Sequence, residues 1–193
     1  MTATSYIPYQ EIVDHLDIQA SDVLIIASDI TRLAFNAKRN ERSFDVDALI
    51  DSFKHKLTVQ GTLIFPAYNF NLRSGQTFDV KKTEPVTGAM ALAAFRGDDF
   101  KRTWHPLHSF MVWGKESEAL QNLQNESSFG SDSPFAKFLE WNAKMLFIGT
   151  NVAEAFTYTH YVEEQDKVPY RHFKPLLIRY YNDGAQAGEK KFL

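Results

Sequence analysis

Apolar residues fall into two kinds of run along this chain. Continuous runs occur at Val23-Leu24-Ile25-Ile26-Ala27, Thr62-Leu63-Ile64-Phe65, Phe110-Met111-Val112-Trp113 and Met145-Leu146-Phe147-Ile148. Three of them stop at a breaker, respectively Ser28-Asp29, Pro66 and Gly149-Thr150. Short continuous runs suit strands buried on both faces, as in a parallel sheet. Between them the apolar residues recur at helical spacing. Tyr9, Ile12, Val13 and Leu16 predict a helix over 9–16. Phe44, Leu49, Ile50, Phe53 and Leu57 predict a second, with Ser43 as its cap and Asp45 and Asp47 where the helix dipole favours acids. Further helices are expected over 90–95, 116–123, 135–141 behind Pro134, and from 156 onward. Residues 36–42 read as a polar, basic loop carrying Lys38, Arg39 and Arg42, and residues 67–85 have no period. Asn182-Asp183-Gly184 between two short arms predicts a C-terminal β-hairpin. Alternating helices and strands predict an α/β fold: one layered α/β/α domain over 1–193, with a central, mostly parallel (mixed) sheet.

Composition narrows the function. A chain of 193 residues can bury a sizeable core. Its 44% hydrophobic and 23% charged residues are ordinary for a soluble protein. The net charge of -3, without a basic run, argues against a nucleic-acid partner. Cysteine is absent, which removes a thiol nucleophile, disulfides and cysteine-bound metal, and fits a cytoplasmic protein. Residues 1–10 lack a signal pattern, and no apolar stretch approaches about 18 residues, so no membrane partner is expected. The 16 Phe and 8 Tyr suit an apolar or stacking pocket.

Three stretches carry candidate chemistry. In Phe156-Thr157-Tyr158-Thr159-His160-Tyr161-Val162-Glu163-Glu164, helical spacing sets His160 beside Glu163 and Glu164, one turn from Thr157. An imidazole flanked by a hydroxyl and carboxylates can take a proton from a nucleophile near neutral pH. Arg102-Thr103-Trp104-His105-Pro106-Leu107-His108-Ser109 gathers a cation, two histidines and a serine before a strand. Ser28-Asp29-Ile30-Thr31 lies at a strand's carboxyl end, where open α/β sheets bind ligands. The same residues admit other readings. The His160 stretch can be a solvated helix face, and His105 and His108 can simply anchor their loop by hydrogen bonds. His105, His108, His160 and Glu163 can be ligands of a metal-dependent hydrolase, although no HExxH spacing is present.

Taken in order, these stretches resemble the aminoglycoside 3-N-acetyltransferase family, antibiotic acetyltransferases distinct from the GNAT fold. The resemblance runs through Gly61-Thr62-Leu63-Ile64-Phe65-Pro66, Gly88-Ala89 with Phe95-Arg96, the 102–109 segment, Phe129-Gly130 with Ser133-Pro134, Gly149, Thr157-x-x-His160-x-x-Glu163 and Pro169-Tyr170-Arg171. It implies acetyl transfer from acetyl-CoA, without metal, to a primary amine of an aminoglycoside or amino sugar. His160 matches the catalytic histidine and Glu163 the carboxylate beside it. Ser28, Asp29, Thr31, Arg102, His105, His108 and Ser109 match segments lining CoA and its acetyl end, with Lys38 and Arg39 as further phosphate contacts. Tyr68, Asn69, Asp132, Thr157 and Glu164 are the expected acceptor contacts. The partners implied are CoA and a small amine, with a homodimer left open. The chain departs from the family where Ala27-Ser28-Asp29-Ile30 replaces a His-Ser-Ser-Leu type sequence, where Leu33-Ala34-Phe35 and a basic insertion replace a glycine, and at a shorter C-terminus. These departures motivate two alternatives: an acceptor that is a nucleotide-linked amino sugar of surface polysaccharide synthesis, and a catalytically silent binding protein.

Overall fold

The computed structural model describes residues 6–193. The reading of residues 1–10 as free of a signal therefore falls partly outside the described residues. The continuous apolar runs form the central sheet. Strand β1 (Val23–Ser28) lies between β2 (Thr62–Pro66) and β6 (Lys144–Ile148), parallel to both. Beyond β2, β5 (Phe110–Gly114) runs antiparallel to it and the two-residue β4 (Lys101–Arg102) antiparallel to β5, giving the order β4-β5-β2-β1-β6. The sheet is mixed as expected, and parallel only through β2, β1 and β6.

Strand periodicity divides the core between two faces. Leu24, Ile26, Leu63, Phe65 and Met111 face one layer, and Ile25, Ile64, Phe110 and Val112 face the other. The first layer contains α1 (Thr31–Arg39), α2 (Val46–Leu57) and α3 (Ala89–Arg96). The second contains α4 (Ser117–Gln121), α5 (Pro134–Glu140) and the aromatic residues Tyr158 and Tyr161, which follow α6 (Val152–Ala155) and lie just before and within α7 (Thr159–Gln165). A second sheet joins β3 (Thr77–Asp79) in parallel to the C-terminal hairpin of β7 (Leu176–Asn182) and β8 (Ala185–Phe192). Its core is Phe78, Leu176, Ile178, Tyr180 and Phe192, with Trp104 stacked on Tyr180 at 4.2 Å.

Four local expectations are corrected. Residues 36–42 are not a loop throughout, because α1 runs to Arg39. Ala37 is buried and Leu33 partly buried against the first layer, and this stripe outweighs the basic surface of Lys38 and Arg39. The 9–16 helix shrinks to a single 3-10 turn, Ile12–His15, because Tyr9 is drawn into the core and its hydroxyl accepts from Asp45 N–H at 3.0 Å. Asp45, not Ser43, caps α2, accepting from the N–H groups of Asp47 and Ala48 at 2.9 and 3.4 Å. The aperiodic 67–85 stretch contains β3, whose three residues are too few to show a period.

Candidate active site

Helix α7 carries the candidate catalytic residues. Its short length matters less than its register, since a spacing of three sets Glu163 under His160. His160 Nδ1 and Glu163 Oε2 are 2.9 Å apart. The Arg171 guanidinium binds the same carboxylate oxygen through Nε, and its Nη2 abuts His160 Nδ1. Tyr170 donates its hydroxyl to Glu163 Oε1 at 3.3 Å. The His160 bond, followed by Arg171, holds the Glu163 carboxyl below its ordinary range. Nδ1 thus faces both the Glu163 carboxylate and the Arg171 guanidinium; the tautomer that donates from Nδ1 to Glu163 is the one that leaves the Nε2 lone pair for an incoming proton. Nε2 has no protein partner among the described residues.

This face of α7 opens on a cleft of about 1300 Å³ that also takes in His108, Asp132 and Glu164. His108 is boxed by Tyr68, Phe70 and Phe129, with ring centroids 5.0, 5.7 and 4.8 Å away, and its Nδ1 meets Ser128 Oγ at 2.8 Å. Burial, then the nearby His160 and Arg171, pushes His108 down to about 3, so it is neutral at physiological pH. Glu164 is fixed by the Ser127 hydroxyl at 2.7 and 2.8 Å. Phe129 meets the His160 ring edge-on at 5.4 Å.

A second, smaller groove of about 240 Å³ lies at the carboxyl ends of β1 and β2 and is lined by Ser28, Asp29, Tyr68, Thr157 and Thr150 among others. Phe70 borders both spaces. Burial raises the Tyr68 hydroxyl above its ordinary range, and a bond from Thr157 opposes that rise. Asp29 accepts from Thr31 N–H at 3.0 Å, and these bonds to Thr31 hold its carboxyl below its usual range. The aspartate that departs from the family pattern thus serves the start of α1. Gly149, at φ +67, lets the end of β6 approach this loop: a Cβ there would lie 2.0 Å from the Asp29 carbonyl oxygen.

The structure does not bring all the expected residues to these spaces. Arg102 is buried, and its five N–H groups are used by Ser109 Oγ, the carbonyls of Val80, Thr83 and Ala67, and Asn69 Oδ1. No N–H remains for a CoA phosphate. Asn69 and Ser109 are committed to the same network, Asn69 donating to Glu84 O and Ser109 to Ala67 O, both at 2.7 Å. His105 is fully buried, accepts from Leu107 and His108 N–H groups at 3.3 Å, and is pushed down to about 3 by burial and then by His108. These four residues, expected as ligand contacts, are internal supports, and Thr31 contributes through its bonds to Asp29. Among the described residues no three His, Asp or Glu side chains converge in a metal-binding geometry. Sequence reasoning missed Ser127, Ser128 and Phe129 as the support of the acidic and histidine groups. Phe129 entered the resemblance only as part of the Phe129-Gly130 motif, and the loop around it has no period from which the roles of Ser127 and Ser128 could be read.

No curated protein sequence matches the chain. Several solved structures share its fold. The YokD protein from Bacillus subtilis superposes with a TM-score of 0.78 at 18% identity, over 96% of this chain and 79% of that one. AAC-IIIb, in a binary complex with CoASH, gives 0.80 at 16% identity, over 95% and 73%. The apoenzyme of the aminoglycoside acetyltransferase AAC(3)-IVa gives 0.72 at 22% identity, over 100% and 72%. The family model described as aminoglycoside 3-N-acetyltransferase matches residues 39–190, which hold β2, the 102–109 segment and the whole of α7. The chain belongs to the aminoglycoside 3-N-acetyltransferase family.

Proposed function

We propose that the chain acts as one domain, a cytoplasmic acetyl-CoA-dependent N-acetyltransferase with His160 as general base. The observation that carries this reading is the His160 ring: Nδ1 is held at 2.9 Å by Glu163 while Nε2 is unpartnered at the edge of the large cleft. A primary amine in that cleft gives up a proton to Nε2 as its nitrogen attacks the thioester carbonyl. The C–N bond forms, the C–S bond breaks, and CoA leaves as a thiol once the proton is passed to sulfur. The acetyl end of CoA enters from the groove at the ends of β1 and β2, past Tyr68, Thr157 and Phe70. Support for CoA as the donor comes from the family match and from the CoASH-bound neighbour. No step needs a metal or a covalent enzyme intermediate, and holding the two substrates in spaces that share the Phe70 wall supplies much of the rate.

The test is steady-state acetyl transfer to a panel of amines by the wild type and His160→Ala. The variant is expected to lose about 100-fold or more in kcat. Its unfolding curve and its calorimetric affinity for CoA stay those of the wild type. Near-normal turnover by the variant removes His160 from the mechanism. A wild type that turns over no amine leaves a silent binding protein.

A further inference from the structure

Resting on the acetyltransfer reading, the arrangement of charges in the large cleft points to the class of acceptor. We infer that the acceptor is an amino sugar that also carries a phosphate, whether as a simple ester or within a nucleotide diphosphate. The cleft is lined by the cations Arg73, Lys167, Arg171 and Lys174 and by the carboxylates Asp132, Glu163 and Glu164. Arg171 and Glu163 pair with each other. That leaves two carboxylates and three cations, and none of those cations has an acidic partner among the described residues.

Apart from Lys167, whose N–H donates to the Glu164 carbonyl at 3.2 Å just past α7, the remaining charges are segregated. Glu164 and Asp132 stand on the wall that carries His160, where Ser127 fixes Glu164 and Gln165 Nε2 bonds the Phe129 carbonyl at 3.0 Å. Arg73 and Lys174 stand on a wall built from the second sheet. There Gly75 N–H donates to Leu177 O at 2.8 Å and Leu177 N–H to Ser74 Oγ at 3.1 Å, which brings the 73–74 loop to the segment leading into β7. The Arg73 guanidinium is held in place through Nη1 by the carbonyls of Phe70 and Leu72, both at 3.0 Å, so Nε and Nη2 remain to donate. A preset guanidinium and an ammonium on one wall of a cleft suit a phosphate. The ammonium of the acceptor belongs on the acidic wall next to His160, and the Phe70 and Phe129 rings offer apolar surface to a sugar between them. A polycationic acceptor would meet the unpaired cations, and a neutral amino sugar would leave them unused.

Calorimetry in the presence of CoA, alongside acetyl-transfer kinetics, tests this with glucosamine, glucosamine 6-phosphate, a UDP-linked sugar bearing a free amine, and kanamycin. At least one phosphorylated amine is expected to bind about 10-fold or more tightly than glucosamine or kanamycin. In an Arg73→Ala/Lys174→Ala double variant that ratio collapses to near one. Preference for the simple ester or for the UDP-linked sugar tells which phosphate the wall accepts. Three results overturn the inference: kanamycin or glucosamine binding as tightly as both phosphorylated amines, a preference that survives the double variant, or no binding of either phosphorylated amine up to about millimolar concentration. Tight, Arg73-dependent binding without acetyl transfer sinks the enzymatic reading and leaves only the phosphorylated amino sugar as a ligand of this cleft, not as an acceptor. Transfer to kanamycin alone does the reverse.

Discussion

Arg102 keeps its charge inside the protein because every N–H it owns is bonded. Burial lowers its pKa only to about 10, so it is still a cation at neutral pH. It lies over the rings of Phe78 and Phe95, 4.8 and 5.2 Å from their centroids, and ties loops at residues 67–69 and 80–83 to β4. Lysine has three donors and no planar fork. Arg102→Lys is therefore expected to lose at least two bonds to a charged donor, about 3 kcal/mol, and to lower Tm by roughly 6–12 °C. Its affinity for CoA in calorimetry should stay that of the wild type; a specific loss of CoA affinity at unchanged Tm would restore the phosphate contact expected from sequence. His160 and Glu163 were legible in the sequence because a spacing of three fixes their contact once the segment is helical. The roles of Arg102, His105 and Ser109 were not, because residue type and motif order do not say whether a polar group faces a ligand or a carbonyl.

At the scale of elements, β1, β2, β5 and β6 were legible because burial on both faces writes itself as an unbroken apolar run. The 156–164 helix was legible less in its bounds than in its polar face. Helix α1 was hidden by its charge. The junction of β6 with the α1 loop rests on a position no side chain can share, Gly149. A methyl group there meets the Asp29 carbonyl oxygen head-on, in a backbone conformation that L-residues rarely adopt. Gly149→Ala is expected to cost about 2 kcal/mol or more, read as a lower denaturant midpoint. CoA affinity should fall with it, because Asp29 and Thr150 line the smaller groove. A variant with the wild-type midpoint would show that the loop can move aside at little cost.

For the whole molecule, the seam between the two sheets holds two neutral histidines. His105 and His108 sit where the chain before β5 meets the end of β8, with Phe192 5.0 Å from the His105 ring and the Leu193 carbonyl accepting from Ser128 N–H at 2.9 Å. In the unfolded chain each takes a proton near pH 6.5, but in the folded protein only near pH 3. The unfolded state thus binds more protons across that window. Stability is intact above about pH 6.5 and falls as pH drops toward 3, by up to about 1.4 kcal/mol per pH unit for each histidine. Urea unfolding at pH 7, 6 and 5 should show this slope, and His108→Gln should flatten it by up to one histidine's share. An equal slope in the variant would mean that His108 is protonated in the fold. The mixed sheet, its two covering layers and the hairpin could be read from sequence, whereas the pairing of β3 with β7 could not, because short parallel strands carry no local signal of their partner.

That pairing sets an order of events. Ser74 and Leu177, which bond beside the β3–β7 pair, are 103 residues apart in the chain, whereas the β7–β8 hairpin closes through a two-residue turn. Loop-closure entropy favours the near contact first, so during synthesis β3 must wait, unpaired, until β7 has emerged. The basic wall of the cleft can take shape only then, well after β1, β2 and β5 have had the chance to assemble. A charged ligand bridging the two walls would act as a clasp on the youngest joint in the fold.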